Sequence, residues 1–121
     1  WPTPRFSMPK DELVYVGHML DKAYEALSLV RGKTRQDYDS DSVLRLALTH
    51  LIQVVGEASR RVSSQFREQH KQIPWEAIAG MRSKIVHDYM NVDEDIVWDS
   101  VTQELQPLID ELRKIVPPES L

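Results

Sequence analysis

Apolar residues recur every three or four positions through most of the chain and nowhere alternate with period two, a pattern that predicts helices and no sheet. Between residues 9 and 31, Leu13, Val16, Leu20, Tyr24, Leu27 and Val30 fall on one stripe, with Ser7 and Pro9 suited to a helix start and Gly32 to its end. The polar run RGKTRQDYDSD that follows reads as a loop, in which Asp39, Ser40 or Asp41 can cap the next helix. A second helix is expected from about Ser42 to Lys71. Leu44, Leu48, Leu51, Val55, Ala58, Val62 and Phe66 form its stripe, and Val43, Leu46, Ala47 and Val54 widen it so that more than one side is buried. Gly56 lies mid-helix, where it costs about 1 kcal/mol relative to alanine and is suited to the close approach of another backbone.

Ile73-Pro74 ends that pattern, and Pro74 suits the first position of a third helix that pauses at Gly80 and continues through Tyr89. Asn91 suits a left-handed stop and Asp93 a cap for the last helix, which carries Ile96, Val97, Val101, Leu105, Leu108, Leu112 and Ile115 and is expected to kink at Pro107. The predicted fold is all-α: a bundle of four main helices plus a short extra turn, forming one domain over residues 9–116. Residues 1–8 read as an N-terminal extension or cloning remnant, and 117–121 as a C-terminal tail.

Composition narrows the field. The 121-residue chain has no cysteine, which excludes disulfides, iron–sulfur clusters and thiolate zinc sites. A small unstapled bundle with surplus apolar surface on its second helix is expected to pair into a homodimer. No apolar run approaches a membrane span and none forms a signal core, so a cytoplasmic location with no membrane partner is expected. The formal charge of −4 conceals an asymmetry. Arg60 to Lys84 carries an excess of four positive charges, whereas every charge from Asp93 to Glu111 is acidic. Such a basic strip can hold a phosphate backbone; solvated helix faces are the alternative reading.

The chain contains no G-x-x-x-x-G-K-[ST] loop, no G-x-S-x-G elbow and no H-E-x-x-H pair. His18, His50, His70 and His87 are far apart and lack ligand partners at metal-binding spacing, so neither a metal nor another cofactor is expected. The stretch RSKIVHDY, Arg82 to Tyr89, carries more chemistry. RNA cleavage by the substrate's own 2′-hydroxyl needs a group to move a proton, which His87 can supply near neutral pH, and a fixed cation facing the phosphate, which Arg82 can supply. On an ideal helix Arg82 and His87 point about 140° apart with a rise of about 7.5 Å, while Tyr89 returns to within about 20° of Arg82. A two-fold dimer that sets two copies of the helix beside one cleft resolves the mismatch. Taken alone, R-x-x-x-x-H-x-Y is a weak signal that reads more readily as a surface arginine, a helix-end histidine and a packed tyrosine than as a catalytic set.

The segments VVGEASRRV (54–62) and IPWEAIAGMRSKIVHDYMNVDEDIVW (73–98) resemble the HepT-like toxin family of the HEPN superfamily of helical ribonucleases, a resemblance spanning about residues 11–116. It implies a HEPN-type bundle of four to five helices, homodimeric, with the cleft between subunits and Arg82 and His87 as catalytic residues. It implies a metal-independent RNA endonuclease acting as the toxin of a toxin–antitoxin pair. The partner would be an MntA-type nucleotidyltransferase that silences the nuclease by transferring AMP from ATP to Tyr89, filling the cleft and pairing with Arg82. Ser83, Lys84, Arg60 and Glu57 are the candidates for cleft or RNA contacts; helix-surface ion pairing is the alternative for Glu57 and Arg60. Ser83 departs from the family, where an amide or acid commonly follows the arginine, and a hydroxyl cannot match an amide's reach. The competing functional reading is a catalytically silent dimerisation module that binds and regulates the nucleotidyltransferase.

Overall fold

The structure is a computed structural model that describes the backbone of residues 4–88 and 91–116 and the side chains of 12–86 and 91–116. The first helix, α1 (Pro4–Val30), begins earlier than Pro9 and turns back at Gly32, whose φ of 74° is the left-handed conformation a helix end favours in glycine. Its buried face is Val16, Met19, Leu20, Ala23, Ala26 and Val30, so the true stripe is rotated from the predicted one and Tyr24 faces outward. Two alanines on that face let α1 lie close along α3, its principal neighbour.

The predicted loop after α1 contains a helix, α2 (Arg35–Asp39). A capping box starts it: Asp37 N–H donates to Thr34 Oγ1 at 3.1 Å, and Thr34 N–H to Asp37 Oδ2 at 2.8 Å. These hydrogen bonds hold the Asp37 carboxyl below its ordinary range. Turn-forming residues and a capping box share an alphabet, which is why the segment read as loop.

Asp41 caps α3 (Ser42–Arg60) as expected, accepting from Leu44 N–H at 3.1 Å. The predicted second helix does not reach Lys71. It breaks at 61–63, and Ser63 caps a separate α4 (Ser64–Gln69), accepting from Phe66 N–H at 3.1 Å. The buried Glu12 carboxylate on α1 accepts from the Ser63 N–H and hydroxyl, so a contact remote in sequence fixes the break. Leu44, Leu48, Leu51, Val55, Ala58 and Val62 are buried as predicted, whereas Val43 and Leu46 are 74% and 72% exposed.

Two short helices, α5 (Trp75–Ala79) and α6 (Met81–Ile85), meet at Gly80, where the pause was expected. The helix does not continue through Tyr89. Val86–Asp88 (β1) pairs antiparallel with Asn91–Val92 (β2), Val86 opposite Val92 and Asp88 opposite Asn91. β-branched Ile85, Val86 and Val92 favour the extended form once they have a surface to pack on. Asn91 therefore sits in a strand, and among the described residues no non-glycine has positive φ.

Asp93 caps α7 (Glu94–Asp99), accepting from Ile96 N–H at 3.1 Å. A π-helical turn, Ser100–Glu104, leads into α8 (Leu105–Ile115). The irregularity thus precedes Pro107 instead of falling on it. Proline donates no hydrogen bond to the carbonyl one turn back, and the wider turn, in which Leu105 N–H donates to Ser100 O, absorbs that mismatch. The core lies where α1, α3 and α8 meet α7 and the π turn, centred on Leu48, Ile85, Val97, Val101, Ile109 and Leu112, all fully buried. The all-α class holds, with one two-stranded hairpin among the described residues. No described helix is long and apolar enough to cross a membrane.

Candidate functional site

Arg82, Ser83 and Lys84 are consecutive exposed residues of α6. Ile85, fully buried, anchors the end of that helix, and Val86 N–H donates to Arg82 O, so the chain turns from helix to strand directly beside the arginine. His87 comes next. Two residue steps on β1 match one on β2, which makes His87 the extra residue of a bulge, the type of irregularity used to re-aim a chain near a site. Asp93 N–H donates to Ile85 O at 2.7 Å and closes the hairpin base. Arg82 and His87 therefore occupy different elements across a corner, and the helical wheel that set them 140° apart does not apply to them. The His87 side chain and all of Tyr89 lie outside the described residues.

Two features of α3 hold α5, which leads into α6, from behind. A Cβ built on Gly56 would stand 2.9 Å from Ile78 O, so α5 crosses at a distance only glycine allows. One turn later, Arg60 Nε donates to Ala79 O at 3.1 Å. Arg60 braces the backbone that leads into Arg82 and does not touch the Arg82 guanidinium. Glu57 pairs along the helix with Arg61 at 3.8 Å, so the ion-pair reading describes its contact. Among the described residues, nothing pairs with or hydrogen-bonds the Arg82 side chain. That leaves a planar fork of donors available to a phosphate.

Beside α6 runs an apolar groove of about 310 Å³, floored by Ile52, Val55, Ile78, Met81, Leu105 and Leu108 and rimmed by Glu104 and Glu111. Two carboxylates of the acidic 93–111 stretch thus share a groove with Met81 of the motif helix, which the linear charge map could not reveal. His18 and His50 are exposed, and His70 stacks on Phe66 with ring centroids 4.4 Å apart. No group of three histidine, aspartate or glutamate side chains that could hold a metal ion occurs among the described residues.

One cluster near the hairpin escaped the sequence reading. Tyr38 is fully buried on α2 and donates its phenolic hydrogen to Glu94, the first residue of α7. Burial, then the Glu94 carboxylate, pushes that phenol well above its ordinary range and keeps it protonated. The Thr34-x-x-Asp37 capping box was the available signal that this aromatic belongs to a helix and not to a loop.

The family model for ribonucleases described as HepT-like matches residues 19–115, most of the described fold with α6 and the hairpin inside it. The chain belongs to the HepT-like ribonuclease family. Among its HepT-like relatives is a protein named "Putative RNase" from Caldanaerobacter subterraneus subsp. tengcongensis, 32% identical over 105 residues, which cover 87% of this chain and 94% of the relative. Another, named "Probable ribonuclease HepT", is from Thermococcus cleftensis and is 30% identical over 100 residues, covering 79% of this chain and 91% of the relative. No solved structure gives a significant match. The HEPN-type helical bundle that the resemblance implied is the HepT-like fold described above, with the arginine in one short helix and the histidine on the strand that follows it.

Proposed function

We propose that this chain is a metal-independent RNA endonuclease that works as a homodimer, with Arg82 and His87 from both copies around one phosphate. The supporting observation is the corner itself: an exposed Arg82 guanidinium on α6, without a partner among the described residues, followed by His87 at a strand bulge, inside the span matched by the HepT-like family. In the reaction, one His87 imidazole takes the proton from the 2′-hydroxyl and the 2′-oxygen forms a bond to phosphorus. The bond to the 5′-oxygen breaks, and the second copy's imidazole, as imidazolium, returns a proton to that leaving oxygen. The products are a 2′,3′-cyclic phosphate and a 5′-hydroxyl end. Arg82 neutralises the charge that builds on the non-bridging oxygens. Because the nucleophile belongs to the substrate, no activated water is required.

In the cell this nuclease acts as a toxin held in check by a cognate nucleotidyltransferase, which adds AMP to Tyr89. The added phosphates compete with RNA for Arg82. Purified protein should cleave RNA in the presence of a chelator, His87→Ala and Arg82→Ala should each lower cleavage by about 10²-fold or more, and mass spectrometry after incubation with the nucleotidyltransferase and ATP should find AMP on the Tyr89 peptide. Failure of the unmodified dimer to cut any RNA, together with AMP addition, supports instead a silent regulatory module.

A further inference from the structure

The hairpin that carries His87 is held by something other than the α3 braces behind Arg82. Glu94, two residues after Val92, accepts the Tyr38 phenol and stands 3.7 Å from Arg45 Nε. Its neighbour Asp95 pairs with Arg35 at 2.7 Å, and the same guanidinium holds Asp39 at 2.8 Å. Arg45 also donates to the carbonyl oxygens of Tyr38, at 3.3 Å, and Asp39. The Tyr38 ring lies 5.2 Å from that of Trp98 on α7. The start of α7 is thereby tied to α2 and to the beginning of α3.

From that fixed point the path to His87 is short. Asp93 caps α7 with its side chain and closes on Ile85 O with its N–H, Val92 pairs with Val86, and Asn91 with Asp88. Arg60 and Gly56 act on α5, upstream of Arg82. The arginine and the histidine are thus secured from opposite directions.

We propose that Tyr38 is a positioning residue, which through Glu94 fixes the β1–β2 hairpin and with it the place of His87 relative to Arg82. The catalytic consequence rests on the ribonuclease reading above, while the structural consequence rests on the contacts alone. A phenylalanine at 38 keeps the packing on Trp98 but drops the bond to Glu94, leaving that carboxylate only its distant contact with Arg45. A displacement of about 1 Å at a catalytic group is enough to cost about 10²-fold in rate.

The test compares Tyr38→Phe, Glu94→Ala and Glu94→Gln with the unaltered protein, by amide hydrogen exchange and by RNA cleavage well below each variant's Tm. Tyr38→Phe and Glu94→Ala are expected to speed exchange of the Asp93 amide, which closes the hairpin base on Ile85 O, by about tenfold while amides such as those of Leu51 and Val55 are unchanged. Glu94→Gln, whose amide oxygen still accepts the phenol, is expected to restore most of the protection. Cleavage by Tyr38→Phe should fall in kcat by about tenfold or more with KM unchanged, and Tyr38→Phe should add nothing to His87→Ala. Uniform exchange across the whole chain, unchanged hairpin amides, or a loosened hairpin with full kcat would each overturn the proposal. If the unaltered protein cuts no RNA, the ribonuclease reading fails by itself and the exchange pattern still decides whether Tyr38 fixes the hairpin.

Discussion

A single hydrogen atom in place of a methyl group sets how closely α5 crosses α3. At Gly56 the missing Cβ leaves room for Ile78 O, 2.9 Å from where that carbon would stand, and the neighbour is backbone that cannot rotate away. Gly56→Ala should therefore destabilise by about 1–3 kcal/mol, even though alanine gains about 1 kcal/mol in helix propensity. Urea denaturation measures this; a neutral or stabilised variant would mean that α5 is free to move. Arg82→Lys keeps the charge but loses the planar fork, so a loss of about 10-fold or more in cleavage is expected, with Arg82→Ala lower still. Tyr38 makes a prediction in pH. Its folded pKa lies above the ordinary 10.0, so its contribution to stability is full below that pH and is lost as pH rises beyond it. Stability of the unaltered protein, measured by chemical denaturation, should fall in that alkaline range, and Tyr38→Phe should show a shallower decline.

Helix boundaries were legible where one side chain decides them. Asp41, Asp93 and Gly32 act as the sequence suggested, and Asp41→Ala should cost about 1 kcal/mol in thermal or urea unfolding through the lost cap on α3. Boundaries set from a distance were not legible. Glu12 on α1 selects the break at 61–63, where local propensity would have carried the helix on to Lys71. The segment after Arg82 shows the same effect. Its residues suit a helix, yet Ile85 and Val86 gain more by packing against the core and pairing with Val92 than from another turn. That exchange moved His87 off the helix and removed the angular objection to its acting near Arg82. The rotation of the α1 stripe is of the same kind: Leu13 and Tyr24 suit the period as well as Met19 and Ala23 do, and the face that carries Ala23 and Ala26 turned inward, where two small residues admit α3.

As a whole molecule the bundle carries an apolar groove that Met81 of the motif helix shares with Glu104 and Glu111 from the acidic 93–111 stretch. If two copies share a cleft, an Arg82→Ala chain and a His87→Ala chain should complement each other. Refolding the two together should recover measurable cleavage that neither shows alone; an inactive mixture that still forms dimers by sedimentation would mean that each subunit works by itself.

The helical class, the absence of cysteine chemistry, most of the helix caps and the family of the chain were determined by the sequence alone, because periodicity, capping and motif spacing are properties of neighbours along the chain. The face that α1 turns inward, the break after α3, the helix hidden in an apparent loop, and the strand that carries His87 were decided only by tertiary structure. The break after α3 depends on Glu12 with Ser63, 51 positions apart, the seating of α2 on Tyr38 with Glu94, 56 apart, and the strand on Val86 finding Val92, and the energy of such a contact exists only once the chain has folded to bring the two together.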